Sequence, residues 1–384
     1  MSTQKIECPF AERLIDLQWY AKQAGVKFLD QKTAYQHFLH YGQSERLNPS
    51  PFFYTEWYTW QYPDYVMFPT VLDHFVCKMG GVPIEPAPFI ESAILLHENE
   101  NYSSMLDALI ALTEGKDCSV SPNLEDHLSE LTVRQTAVHN SIRSHYIRRR
   151  ITNRRRLVWV QAGSRFSTTQ WYKPDAPRSW DFMCNWYTQE GLDLRHGEIH
   201  LIQPGTKSTA IYHVLKNDPE LFNSYDLLLF LDDDLAISHE DVDLLFDIAT
   251  QDNLSLFQPA LLPGSYGVWK DLFQQSTHGS RKITGVEIMM PGFTREALYS
   301  CRDAFAHSIS GYGLDFMFSE QIQRNGGICA VVDAVSVRHK EKIDEQDGPY
   351  YRLMRLLGIR YKLELYSVIN EIGKYPRFAN VKQA

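Results

Sequence analysis

From Leu157 onward, short apolar runs alternate with helix-forming segments, and this alternation constrains the fold more than any other feature of the chain. "RLVWVQAG" (156–163), "GEIHLIQPG" (197–205), "YDLLLFLDDD" (225–234), "LSLFQPAL" (254–261), "KITGVEIMMPG" (282–292) and "GICAVVDAVSVRH" (327–339) read as strands. "STAIYHVLKNDPELF" and "SHEDVDLLFDIATQDN", set among them, read as helices. Near-continuous apolar strands belong in a sheet buried on both faces. The spacing therefore predicts an α/β, Rossmann-like domain with a mostly parallel sheet and helices on both faces. In such sheets, ligands bind beyond the carboxyl ends of the strands.

The run "LLLFLDDDLAIS" (227–238) drives an apolar strand into Asp232, Asp233 and Asp234 at such an end. Three adjacent carboxylates repel one another. Asp234 or Ser238 could cap the following helix, but one side chain suffices for that. A hard divalent cation bound together with substrate phosphates takes one or two carboxylates. The triplet therefore points to Mn²⁺ or Mg²⁺ clamping a diphosphate, with Asp234 and Asp232 on the metal and Asp232 and Asp233 towards the donor.

An apolar strand ending in Asp-x-Asp resembles the signature of GT-A glycosyltransferases, which bind a nucleotide-sugar through a divalent metal. Downstream, "TGVEIMMPGFTREAL" (284–298), "SGYGLDFMFSEQIQRNGG" (310–327) and "VVDAVSVRHK" (331–340) resemble, in order and content, GT-A enzymes with a Gly-aromatic-Gly-x-Asp segment followed by a metal-binding His. Residues 203–339 are more closely similar to a family catalogued only as a domain of unknown function. Its members share an "NQTK"-like turn (here "QPGTK"), an acidic strand end, a "QPAL" strand, a "GWGLDF"-like turn and a final "VVD…V.H". The chain departs from that pattern in two places: Tyr312 stands where Trp is usual, and the strand end carries three Asp. The resemblance implies a metal-dependent, inverting transfer from a nucleotide-sugar to a hydroxyl, with Asp315 as the base and His339 on the metal.

The residues support these roles on their own chemistry. Asp315 follows "GYG", whose glycines permit a tight turn close to a ligand, and a carboxylate there could take an acceptor's proton or cap the next helix. Glu287, among apolar neighbours, needs a partner; it could bond sugar hydroxyls or serve as the base in place of Asp315. His339 is a competent Mn²⁺ ligand, and Asp333 reads as structural or as a support for it. Lys207, at a helix start, suits a phosphate, and Arg281 could act similarly. Gly163, Arg165 and Gly285 are assigned to the donor, and Tyr312 and Gly313 to the acceptor.

The first third carries a weak repeat. Trp19-Tyr20 recurs as Trp57-Tyr58, His37-Phe38 as His74-Phe75, and "NPSPFF" as "EPAPFI" 37 positions on. A degenerate third copy runs through "MLDALIALTEG". Such self-similarity predicts stacked helical units, and it resembles modules attached to bacterial polysaccharide glycosyltransferases, implying a glycan or lipid-linked acceptor. Between Arg134 and Arg156 lie eight arginines and no acids. With Leu131, Val138, Ile142 and Tyr146 at helical spacing, this stretch predicts a basic amphipathic helix, either a solvated linker or a face (143–156) for anionic membrane. The expected division is 1–128 helical repeats, 129–156 basic linker helix and 157–384 catalytic domain.

Composition bounds the rest. The net charge of −9 argues against nucleic acid. Six scattered cysteines without a CxxC pair suggest free thiols in a reducing compartment. With no signal-peptide core and no spanning apolar run, a cytoplasmic location is expected, in contact at most with the inner face of a membrane. Two other functions compete: a metal-dependent phosphohydrolase or nucleotidyltransferase, and a non-catalytic scaffold binding a glycan or protein.

Overall fold

The computed structural model describes residues 10–78, 84–91, 95–96, 102–117, 119–169, 172–342, 344–345 and 348–381. The chain divides into two compact units, Met1–Glu130 and Leu131–Ala384. Among the described residues, no helix is long and apolar enough to cross a membrane.

In the first unit the described helices are α1 (Leu17–Ala24), α2 (Gln31–His37), α3 (Thr55–Gln61), α4 (Val71–Lys78) and α5 (Met105–Thr113). The repeated sequence positions form the same contact twice. Tyr20 hydroxyl meets His37 Nδ1 at 2.8 Å, and Tyr58 hydroxyl meets His74 Nδ1 at 2.8 Å. The rings stand edge-on in both pairs, with centroids 5.7 Å and 5.6 Å apart. A Tyr–His clasp thus joins the two helices of each copy and satisfies the polar tips of rings that are otherwise core. The degenerate third copy has no such pair at the corresponding positions of its sequence. Cys77 is disulfide-bonded, which corrects the expectation of six free thiols. Cys184, Cys301 and Cys329 are free and buried.

Helix α6 (Leu124–Ser141) crosses the boundary between the units. In the second unit, Val138 and Ile142 pack with Ile309, Met354 and Ile359. The arginine-rich stretch that follows is not the continuous helix its spacing predicted. β1 (His145–Arg149) forms instead and pairs antiparallel with β4. The arginines reach carboxylates and carbonyls: Arg148 the carbonyls of Gly197 and Leu194, Arg149 Asp218, Arg154 Asp181, Arg155 Asp226 and Arg156 Asp247. Charges placed one or two residues apart reach different partners from an extended chain, whereas a helix would have directed them all to solvent.

Among the described residues, ten strands form one sheet in the order β1-β4-β3-β2-β5-β9-β7-β10-β6, with β8 on β10. The remaining ranges are β2 (Arg156–Ala162), β3 (Trp180–Trp186), β4 (Ile199–Ile202), β5 (Leu227–Asp232), β6 (Leu235–Ala236), β7 (Leu256–Leu261), β8 (Arg281–Lys282), β9 (Gly292–Thr294) and β10 (Cys329–His339). β4-β3-β2-β5 and β7-β10 are parallel. β9 runs antiparallel between β5 and β7, and β1, β6 and β8 pair antiparallel at the margins. The sheet is therefore mixed rather than mostly parallel. The cause lies in residues 283–291, expected as a strand. They cross the carboxyl end of β5, where the Pro291 and Met289 carbonyls accept from Phe230 and Asp232 N–H at 2.9 Å and 3.2 Å. The chain then enters the sheet against the direction of β5. The helices of this unit are α7 (Lys207–Asn217), α8 (Pro219–Asn223), α9 (His239–Gln251), α10 (Arg295–Ser300), α11 (Leu314–Arg324), α12 (Pro349–Leu357) and α13 (Tyr361–Ile372). β3 is buried along its whole length, and β5 is buried until it reaches Asp232. The polar residue sits where the sheet ends.

Candidate active site

The three aspartates at the end of β5 point to three different partners. Asp232 Oδ1 accepts from Lys207 Nζ at 2.7 Å. Asp233 Oδ2 accepts from the Gly163 N–H at 2.8 Å. Asp234 Oδ2 lies 2.9 Å from His339 Nε2. The last contact follows from topology: β6 pairs with the end of β10, opposing Leu235 to His339. None of the three caps the next helix, because Ser238 does so, accepting from Asp241 N–H at 3.1 Å.

These contacts set the electrostatics. Burial pushes the Asp233 carboxyl up to about 6, with the adjacent Asp232 and Asp234 adding to the shift and the Gly163 N–H opposing it. Burial also raises Asp232 and lowers Lys207, and the ion pair between them opposes both shifts. Asp232 keeps 38% of its side chain exposed, so water supports the charged pair. Burial would lower His339, but the Asp234 carboxylate and the Tyr266 carbonyl outweigh it and bring the imidazole up to about 9. His339 Nδ1 is 2.7 Å from the Tyr266 carbonyl. That bond fixes the ring, and in its protonated form both nitrogens donate, Nδ1 to the Tyr266 carbonyl and Nε2 to Asp234.

Asp315 is the second residue of α11, and Gly313, not Asp315, occupies the N-cap. Gly311 and Gly313 have φ of 90° and 79°, so this turn needs residues without a Cβ. Burial pushes the Asp315 carboxyl up to about 7, against the pull of the Phe316 and Ile288 backbone N–H groups. Glu287 lies in the crossing segment 283–291, where its N–H donates to Gln258 Oε1 at 2.8 Å. Burial, with the charge of Asp315 adding to it, pushes the Glu287 carboxyl up to about 8. Its Oε2 is buried without a partner. Two carboxyls with perturbed ionisation thus face the same strand end, a pattern enriched at catalytic sites.

Other expected residues stand elsewhere. Arg281 forms an ion pair with Asp333 at 2.8 Å and donates to the Phe273 carbonyl. Asp333, expected as structural or as a support for His339, is buried in this ion pair. Arg165 is largely exposed and reaches Glu341 at 3.3 Å. Gly285 is packed against Ser319 and Phe378, where a Cβ would stand 2.6 Å from the Ser319 hydroxyl. Tyr312 hydroxyl is 2.6 Å from Tyr351 hydroxyl, and its ring packs on Tyr361. A Cβ at Gly313 would press on Val368 and Leu365 of α13. Lys207 faces Asp232, where a phosphate was expected. Sequence reasoning missed Glu364, which is fully buried in α13 and accepts from the Ile309 and Ser310 N–H groups at 2.9 Å and 2.8 Å. A lone Glu inside the apolar run "YKLELYSVI" was the available signal.

The donor set suits a divalent cation in part. Asp234 Oδ1 is buried and unpartnered, and His339 Nε2 is oriented beside the same carboxylate. Among the described residues, no group of three or more His, Cys, Asp or Glu side chains is placed to hold a metal. Of the three expected ligands, Asp234 and His339 meet and Asp232 is turned to Lys207.

No family model and no curated protein matches the chain. Among solved structures, the chain is similar to GalNAc-T7 crystallised with UDP, GalNAc and Mn²⁺, at 12% identity and a TM-score of 0.38. That match covers 55% of this chain and 50% of the other, so the chain spans about half the length of that relative. It is also similar to S. aureus TarS, at 12% identity and a TM-score of 0.33, over 53% of this chain and 39% of that one.

Proposed function

We propose that the chain is a metal-dependent glycosyltransferase moving a sugar from a nucleotide-sugar to a hydroxyl of a glycan or lipid-linked acceptor, in bacterial surface polysaccharide synthesis. One observation carries the reading: the Asp234–His339 pair, with a buried unpartnered Asp234 oxygen, lies within electrostatic reach of Glu287, which also feels the charge of Asp315. Asp234 and His339 would hold Mn²⁺ or Mg²⁺, which when bound stabilises the charge on a departing diphosphate. Asp315 takes the acceptor hydroxyl's proton as that oxygen forms a bond to the sugar's anomeric carbon and the carbon–phosphate oxygen bond breaks on the opposite face. A carboxyl near 7 is about half ionised at neutral pH, close to the optimum for a general base. Glu287, raised further, holds its proton at neutral pH and can donate it to a sugar hydroxyl. Asp233 and Gly163 close the strand ends beside the donor.

The test is a thermal-shift panel of nucleotide-sugars with and without Mn²⁺, followed by transfer assays on any sugar that binds. Asp315→Asn is expected to lower kcat by about 10²–10⁴-fold while leaving Mn²⁺-dependent nucleotide binding intact. Asp234→Asn is expected to abolish both. Transfer that survives both substitutions would refute the assignment.

A further inference from the structure

The first unit holds an open cleft of about 620 Å³, walled by the start of α1, residues 51–52, the end of α5 and the turn beyond it. That volume lies within the range of roughly 300–1,000 Å³ typical of small-molecule sites, which combine apolar and aromatic walls with a few placed polar groups. Leu17, Phe52 and Leu112 supply apolar wall here, and Trp19 joins them with 37% of its surface exposed. The repeat offers a direct comparison. Trp57, at the same position of the second copy, is 1% exposed, and its ring packs 5.8 Å from that of Trp60. One copy uses its tryptophan as core, and the other bares it to a cleft. The Trp19 backbone is held in place, because Asp16 Oδ1 accepts from the Gln18 and Trp19 N–H groups, each at 3.0 Å.

The other carboxylates at the cleft are also engaged within the fold. Glu114 accepts from Arg13 at 2.8 Å and from Lys116. Asp117 accepts from the Tyr102 hydroxyl at 2.9 Å and from the Ser119 N–H at 2.8 Å. Two neutral groups stay open. Thr113 lines the cleft, is 7% exposed, and keeps its hydroxyl buried without a partner. A threonine in the last turn of a helix can bond the carbonyl four residues back, and this one does not. The Gln18 carboxamide is exposed at the same wall. Both groups can donate and accept.

We propose that this cleft is a binding site for a neutral saccharide, stacked on the Trp19 ring and hydrogen-bonded at Thr113 and Gln18. The face of an aromatic ring is the negative part of its quadrupole, so it attracts the weakly positive C–H groups on one side of a pyranose. Sugar hydroxyls donate and accept, as Thr113 and Gln18 do. An anionic ligand would meet carboxylates, and no lysine or arginine stands among the described lining residues. An organic cation would meet carboxylates already engaged by Arg13, Lys116 and backbone N–H groups. The cleft lies wholly within the first unit, so this inference is separate from the transfer reading, and either can fail alone.

The test is saturation-transfer NMR followed by isothermal titration on the full chain. The probes are maltotriose, cellotriose, mannotriose and triacetylchitotriose, with trigalacturonate as the anionic comparison and spermidine as the cationic one. At least one neutral trisaccharide is expected to bind. Trp19→Ala is expected to weaken that binding at least about tenfold, and Trp19→Phe, which keeps an aromatic face, to recover most of it. Thr113→Val preserves shape and is expected to weaken binding about three- to tenfold. Trp19 is partly exposed, so its replacement leaves the core intact and keeps the test open if Thr113→Val fails to fold. If no neutral trisaccharide binds, or if binding is indifferent to Trp19→Ala, the inference falls. Spermidine binding that depends on Trp19, with no saccharide binding, makes the cleft a cation site and overturns it as well. Saccharide binding that survives Trp19→Ala but is lost in Asp315→Asn places the sugar at the strand end, which leaves the transfer reading standing and removes this one.

Discussion

At the scale of single residues, the placement of the proposed base Asp315 depends on a buried carboxyl from another helix, Glu364. Glu364 is fully buried, and its oxygens accept from Gln135 Nε2 at 2.8 Å, Ser308 Oγ at 3.3 Å and the N–H groups of Ile309 and Ser310. Those bonds hold residues 308–310, and the turn through Gly311 and Gly313 then delivers Asp315. Glu364→Gln preserves volume but turns an N–H₂ towards backbone N–H groups. The expected loss is about 2–3 kcal/mol of stability, because buried donors are left without an acceptor. Denaturant melts compared with wild type measure it, and an unchanged midpoint would show that the carboxylate does not hold the turn. Gly163 makes a complementary case at the other side of the site. A Cβ there would collide with the Tyr187 hydroxyl and stand 3.1 Å from Asp233 Oδ2. Gly163→Ala is expected to cost about 1–3 kcal/mol and to weaken nucleotide binding through the displaced Asp233. Isothermal titration with the nucleotide found in the thermal panel measures that second effect.

At the scale of elements, the sequence pattern identified β2, β5, β7 and β10 correctly because each is an apolar run in a buried sheet. The pattern around 283–291 misled for a physical reason. "KITGVEIMMPG" is apolar enough for a strand, but its polar backbone groups are satisfied by Gln258, Ser319, Asp232 and Phe230 while it crosses the strand ends. Periodicity reports burial and does not reveal the bonding partner. The same distinction explains how far the site was legible. That Asp234 follows the end of a strand and His339 ends one was readable because a strand end and a terminal His are local features. Asp232 facing Lys207, and Arg281 facing Asp333, depend on tertiary pairings invisible in composition. The arginine stretch failed similarly, since helical spacing of four apolar residues cannot outvote partners waiting elsewhere in the unit, on a strand (Asp181), a helix (Asp247) and loops (Asp218, Asp226). Those partners divide into two energetic classes. Arg154 meets Asp181, whose side chain is completely buried, whereas both Arg155 and Asp226 are more than half exposed. Arg154→Ala is expected to cost about 2 kcal/mol, and Arg155→Ala less than about 1 kcal/mol. Urea denaturation of the two variants decides this, and equal effects would mean that Thr152 and Tyr225, which also bond Asp181, carry the buried anion without the arginine.

At the scale of the whole molecule, burial raises the ionisation of carboxyls in the second unit, and this gives its stability a pH signature. Asp315 moves from an ordinary value of 3.8 to about 7 on folding. Across that window the folded state binds more protons than the unfolded chain, so this contribution is full below the ordinary value and is lost as pH rises through about 7. Other groups act against it. Burial pulls His200 down to about 4, so its contribution grows as pH rises towards the ordinary imidazole range. The total profile is therefore a sum of opposed slopes, and the informative quantity is the difference between wild type and Asp315→Asn. The amide cannot ionise, so the variant should gain on wild type between pH 5 and 8 by about 2 kcal/mol, discounted for the partial exposure of the carboxyl. Because the chain comprises two compact units, one melting temperature need not describe both. Hydrogen exchange of the α11 amides reads the unit that contains Asp315. Protection in the variant should rise relative to wild type across that window. If the two proteins instead remain parallel from pH 5 to 8, Asp315 titrates as an ordinary surface carboxyl and loses its claim to be the base.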